Sequence, residues 1–204
     1  MTDKELTNKL AKFDYTNLWL DYGVLTIEHL ITQEQEFDNC NDKNTEHYRY
    51  GTFRYYLSSK TKLSDIEFDN YLKLTMEDKD VLMAGSAAAD LFCMIDLTQF
   101  QFQKLCEVIG HFGEWTNKVV IQQVLLRELK QRGLTADLFR KCIENGDSII
   151  HEYILEIANI AQLQELAIKG KNKKIRNIAT EKLKKLTQQK TTTNEQFAGH
   201  RSKN

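Results

Sequence analysis

The side chains that could do chemistry in this chain are scattered. Histidines stand at 29, 47, 111, 151 and 200, and cysteines at 40, 93, 106 and 142. No two cysteines form a CxxC pair and no histidine falls at metal-ligand spacing from them, so neither a zinc site nor a cofactor site is expected. Carboxylates cluster as Glu34/Glu36/Asp38 and Glu77/Asp78/Asp80. General acid–base catalysis needs two carboxylates held in one cleft with separated pKa values, whereas these clusters read as solvated helix ends. Glu46–His47 and His151–Glu152 are sequence neighbours, which a helix places on different faces. The histidines are therefore expected to be exposed or to satisfy structural hydrogen bonds. Phosphate-loop, dinucleotide-binding, zinc-protease and nucleophile-elbow motifs do not occur. The chain is expected not to be an enzyme.

Two segments stand out instead. The first is "YRYGTFRYY" at 48–56, with four tyrosines, one phenylalanine and two arginines in nine residues. Its upstream flank carries Glu34, Glu36, Asp38, Asp42 and Glu46 against Lys43. Tyrosine and arginine are enriched in binding hot spots, where they offer contact area with a polar tip. The predicted protein-binding set is Asp38, Asp42, Glu46, Tyr48, Tyr50, Arg54 and Tyr55, joined by Trp115 in the turn "HFGEWT". The alternative is a cap whose tyrosines pack beneath the next helices and a Trp115 that folds back onto the core. The second segment is 169–190, where nine Lys and Arg face only Glu181. Lys171, Lys173, Lys174 and Arg176 would carry a nucleic-acid contact. Against it, no aromatic interleaves with Lys169–Lys185, and the isoelectric point is about 6.5, low for a nucleic-acid-binding domain. A terminal helix that needs a polar outer face explains the lysines equally well.

The elements that would position these residues read as helices. The 204 residues include no proline, where average usage would give about ten. Proline is most damaging inside helices, and alternating strand patterns are missing. No apolar run reaches the roughly 18–20 residues of a membrane helix, and the N-terminal stretch lacks the apolar region of a secretory signal. A soluble, cytoplasmic protein with buried, reduced cysteines at 93, 106 and 142 is expected. Charge is unevenly spread: residues 1–96 hold 18 acids and 10 bases, residues 97–204 hold 11 and 18. An acidic end and a basic end follow.

Apolar spacing predicts helices over 3–13, over 16–37 and over 45–58, with a loop at 38–44. From residue 63 a rhythm of paired helices follows. Ser64, Thr98 and Thr135 are predicted caps, and turns recur near Lys79, Thr116, Asp147 and Asn172. Gly110, Gly113, Gly133, Gly146 and Gly170 fall at helix ends, where left-handed caps are expected. Paired helices repeating at about 25–45 residues mark an α-solenoid.

The second helices carry a resemblance. "NKKIRNIATEKLKKL", with Ile175, Arg176, Ala179, Leu183 and Leu186, is similar to the second helix of HEAT repeats. "DVLMAGSAAADLFCMI" looks like the same pattern, with Leu82, Ala84, Ala87, Ala88, Leu91 and Phe92. The resemblance spans residues 63–186 and implies an all-α, short right-handed α-solenoid of HEAT or armadillo type, about five antiparallel helix pairs with no β-sheet. An irregular helical bundle is the alternative. One domain over 1–187 is expected, with 1–60 as an atypical cap and 188–204 as a flexible polar tail. Solenoids present extended binding surfaces, so the expected function is binding of a basic protein, in one concrete form as a bacterial immunity protein that neutralises a nuclease toxin. Nucleic-acid binding through 169–185 is the other reading.

Overall fold

A computed structural model describes the backbone of residues 1–41 and 43–201 and the side chains of 1–41 and 43–188. The protein is all-α. Its helices are α1 (Asp3–Lys12), α2 (Leu18–Asp21), α3 (Ile27–Asn39), α4 (Thr45–Ser58), α5 (Asp65–Glu77), α6 (Val81–Met94), α7 (Gln99–Ile109), α8 (Glu114–Arg132), α9 (Ala136–Asn145), α10 (Ser148–Ile157), α11 (Ile160–Lys169) and α12 (Lys173–Arg201). No strand occurs among the described residues. The segment expected as a polar tail continues α12 as far as Arg201, and its side chains from residue 189 onward lie outside the described residues.

The chain divides into two compact units, residues 1–119 and 120–204, and the division falls within α8. The first unit holds 20 acids and 12 bases, the second 9 and 16, so the units carry net charges of −8 and +7.

In the first unit, local sequence sets most helix starts. Ser64 with Glu67 and Thr98 with Gln101 form capping boxes at α5 and α7, each worth about 1 kcal/mol in the cap alone. The helix expected over 16–37 is broken. Gly23 takes a left-handed φ of 67°, and Thr26 caps α3 by accepting from the His29 N–H. Val24 and Leu25 stay buried across the break, so apolar spacing ran through it undisturbed. The turn expected near Thr116 lies at Gly113 instead. Thr116 is already inside α8, fully buried, and donates its hydroxyl to the carbonyls of Ile109 and Gly113.

Helix α6 packs against α4, α5 and α7. Ala84, Ala87 and Ala88 are fully buried, which lets the backbones approach closely. Gly85 is needed for the same reason: a β-carbon there would stand 2.8 Å from Phe112 Cβ and 2.9 Å from Trp115 Cζ2. Of the cysteines expected to be buried, Cys93 is exposed, Cys106 is half-buried and Cys142 is buried.

A buried ion pair ties this unit together. Arg49, on α4, donates Nε to Asp78 Oδ2 at 2.8 Å and a terminal nitrogen to Asp78 Oδ1 at 3.2 Å. Its other terminal nitrogen reaches the Phe13 carbonyl at 3.0 Å. The two side chains are 4% and 2% exposed. Asp78 sits between α5 and α6 and Phe13 follows α1, so one guanidinium fastens three segments.

The second unit comprises the C-terminal part of α8 and the helices α9, α10, α11 and α12. Leu138, Phe139, Cys142, Ile150, Ile154, Leu163, Leu166, Ile175 and Ala179 fill its core. Asp147 caps α10 through the Ile150 N–H at 2.9 Å, and Asn172 accepts from the Ile175 N–H at 3.0 Å at the start of α12. These are the turns expected from the 25-residue spacing. Gly146 and Gly170 precede them but are not left-handed, with φ of −68° and −53°. They are small because space is short. A β-carbon at Gly146 would lie 2.3 Å from the Cys142 carbonyl and 2.9 Å from Ile150 Cγ2. At Gly170 it would lie 2.6 Å from the Leu166 carbonyl and 2.8 Å from Ile175 Cγ2. Gly113 and Gly133 do take positive φ.

The turns within α9–α10 and α11–α12 are each also held from outside their own pair. Gln122, on α8, donates to the Asn145 carbonyl at 2.9 Å and accepts from the Asp147 N–H at 2.8 Å. His151, on α10, bonds the Cys142 carbonyl through Nε2 at 3.0 Å and accepts the Lys171 N–H on Nδ1 at 3.1 Å. A carbonyl only accepts and an N–H only donates, so the ring is neutral with its proton on Nε2. Burial pushes the His151 pKa below its ordinary value. Its stabilising share is therefore complete above the unfolded imidazole pKa of about 6.5 and is lost as pH falls below it, because the unfolded chain takes up a proton that the folded ring resists. Urea midpoints measured at several pH values should fall on acidification below about 6.5, and His151→Gln should flatten that dependence. An unchanged slope in the variant would contradict the assignment.

Candidate functional site

Helices α3 and α4 run beside an open cleft of about 400 Å³. Helix α3 supplies His29, Gln33 and Glu36, spaced i, i+4, i+7 on one face, and α4 supplies His47, Tyr48, Gly51 and Tyr55. This spacing is that of two helical stripes facing a common gap.

Beneath the cleft lies a buried hydrogen-bond network. Tyr15 Oη stands 2.9 Å from Gln33 Oε1 and 2.6 Å from Thr52 Oγ1. Gln33 donates Nε2–H to the Tyr48 carbonyl at 3.1 Å. That carbonyl can only accept, which fixes the amide orientation. The same nitrogen lies 2.7 Å from Thr52 Oγ1 and 3.0 Å from His29 Nε2, three neighbours for its two N–H groups. Burial lowers the His29 pKa and so favours the neutral imidazole. Burial also pushes the Tyr15 hydroxyl up to about 12. The network locks α3 and α4 in register through Gln33 and Thr52, both nearly inaccessible.

The walls are aromatic. The Tyr55 ring stacks on His29, with centroids 4.7 Å apart and planes 16° from parallel, yet Tyr55 remains 60% exposed. Tyr48 packs against Phe13 and Phe37, with centroids at 5.2 and 5.6 Å. Among the described residues that line the cleft, Glu36 is the one carboxylate and there is no Lys or Arg.

The residues predicted to bind a protein do not form one patch. Tyr48 and Tyr55 reach the cleft. Tyr50 and Arg54 turn to α6: Tyr50 Oη donates to Asp90 Oδ2 at 3.0 Å, and Arg54 Nε lies 3.5 Å from the same oxygen. Asp38 is exposed and accepts from Lys12 Nζ at 2.7 Å, which holds its carboxyl below the usual range. Glu46 is half-buried. Trp115 brings Cζ2 against Gly85, while the residue as a whole stays 36% exposed. Asp42 lies outside the described residues. His29, Gln33, Glu36, His47 and Gly51 were not in the predicted set, though the 29/33/36 stripe and the glycine inside α4 were visible signals.

The basic candidates are largely engaged in structure. Lys174 pairs with Glu152 at 2.8 Å. Arg176 donates to the Gly170 carbonyl at 2.8 Å. The Lys171 N–H is the one held by His151, while the Lys171 and Lys173 side chains are exposed. Lys182, on the same helix, pairs with Glu156 at 2.8 Å.

Among the described residues no group of three or more His, Cys, Asp or Glu is placed to hold a metal ion, and no helix is long and apolar enough to cross a membrane. No family model matches the chain, and no curated protein or solved structure shows significant similarity to it.

Proposed function

We propose that the protein is a non-catalytic binding module for a basic protein and that the α3–α4 cleft is its contact surface. The observation that carries this reading is the cleft itself: an open gap of about 400 Å³ with a 60%-exposed tyrosine on its wall, in a unit of net charge −8. Partly exposed aromatics anchor interfaces, and a strong negative field steers a basic partner into contact. The immunity-protein form, in which a nuclease toxin is bound and blocked, is the concrete version, because nucleases present basic surfaces to nucleic acid.

The test is affinity capture from the native source, followed by titration of the recovered partner. Glu36→Lys, Glu46→Lys and Tyr55→Ala should each weaken binding by about tenfold, roughly 1.4 kcal/mol, with melting unchanged. Association should slow as salt rises. Lys171→Glu and Lys173→Glu should leave affinity unchanged. Recovery of nucleic acid through those lysines, or indifference to the cleft variants at Glu36 and Tyr55, would refute the reading.

A further inference from the structure

The cleft has a floor that the fold does not demand. Gly51 lies inside the 14-residue α4, where glycine costs about 1 kcal/mol against alanine. A β-carbon at Gly51 would meet nothing within 4 Å, and the residue is not in the left-handed region. Neither close packing nor backbone geometry therefore calls for glycine, in contrast to Gly85, Gly146 and Gly170. What its missing side chain does is leave the gap between the stripes open, since Gly51 is a lining residue.

The chemistry of that gap is selective. With one face of Tyr55 stacked on His29, the rest of the exposed ring is available to a flat group. Glu36 supplies a carboxylate, and no cation competes for it among the described lining residues. A guanidinium matches both: it stacks on aromatic rings and binds a carboxylate through paired N–H donors. The volume exceeds that of a single side chain and lies within the usual range for ligand sites.

We infer that the cleft receives an arginine of the partner polypeptide, its guanidinium stacked on Tyr55 and paired with Glu36 above Gly51. This rests on the protein-binding reading and names the group that the site recognises.

The experiment uses the full chain and a short fluorescent peptide bearing arginines in a Gly/Ser background, alongside lysine and citrulline counterparts. The arginine peptide should bind saturably. The citrulline peptide, equal in shape but uncharged, should bind at least about tenfold more weakly, with lysine between them. Gly51→Leu fills the gap and should lose arginine binding by a similar factor while melting no lower than the wild type. Glu36→Gln and Tyr55→Ala, at exposed positions, provide independent variants with the same expected loss. Absence of saturable arginine binding, equal binding of citrulline, or normal binding by Gly51→Leu overturns the inference. A captured partner that binds wild type and Gly51→Leu alike overturns it too, while leaving the protein-binding reading intact.

Discussion

Arg49→Met is expected to remove about 3–5 kcal/mol of stability, the usual cost of stranding one member of a buried ion pair. The substitution keeps the side-chain length but leaves the Asp78 carboxylate 2% exposed without its guanidinium. The Phe13 carbonyl loses its donor as well. The size of the effect follows from the unpaired charge rather than from the strength of the pair, because buried pairs barely offset their own desolvation. The double variant Arg49→Met/Asp78→Leu should therefore recover much of the loss. Equilibrium urea unfolding of the four forms gives the coupling directly. A single-variant cost below about 1 kcal/mol, the range of an exposed pair, would show that water reaches the site. The same substitution should also disturb the cleft indirectly, since Arg49 and the cleft residues Tyr48 and Gly51 share α4.

Gly146→Ala and Gly170→Ala are expected to cost at least about 1–3 kcal/mol each, the range for overpacking a close-fitted site. The added methyl would meet a carbonyl oxygen of the preceding helix at 2.3 Å or 2.6 Å, and a backbone cannot move aside as a flexible side chain can. Both glycines already have φ values open to any residue, so the strain is one of contact. Trimming the opposing Ile150 or Ile175 to valine should rescue little, because the carbonyl remains. Thermal melts of the single variants check the prediction, and a stability gain, as when alanine replaces an unneeded helix glycine, would count against it.

These glycines show what the sequence could and could not disclose. Capping boxes at Ser64 and Thr98 were legible because donor and acceptor lie three residues apart. The turns at Asp147 and Asn172 were legible from the 25-residue spacing of the paired helices. Gly146 and Gly170 were visible as helix ends, but left-handed φ and close approach are written with the same letter. Only the neighbouring chain, Cys142 and Leu166 on one side and the isoleucines on the other, separates them. The break at Gly23 was hidden because buried residues continue through it. The binding surface was harder still. Aromatic density drew attention to 48–56, yet a helix distributes those rings over several faces. Tyr50 and Arg54 meet Asp90, while Tyr48 and Tyr55 meet α3. The partners of the latter, His29 and Gln33, come from a different helix, so their juxtaposition is a fact of tertiary packing. The all-helical class needed only the period of apolar residues and the absence of proline.

The clamps on the turns of the second unit tie neighbouring elements to one another. The Asp147 amide has its Gln122 acceptor only while α8 is docked, and the Lys171 amide has its His151 acceptor only while α10 is docked. Displacing α8 therefore strips a turn of the next pair, and displacing α10 strips a turn of the one after it. The unit should loosen as one cooperative body rather than helix by helix.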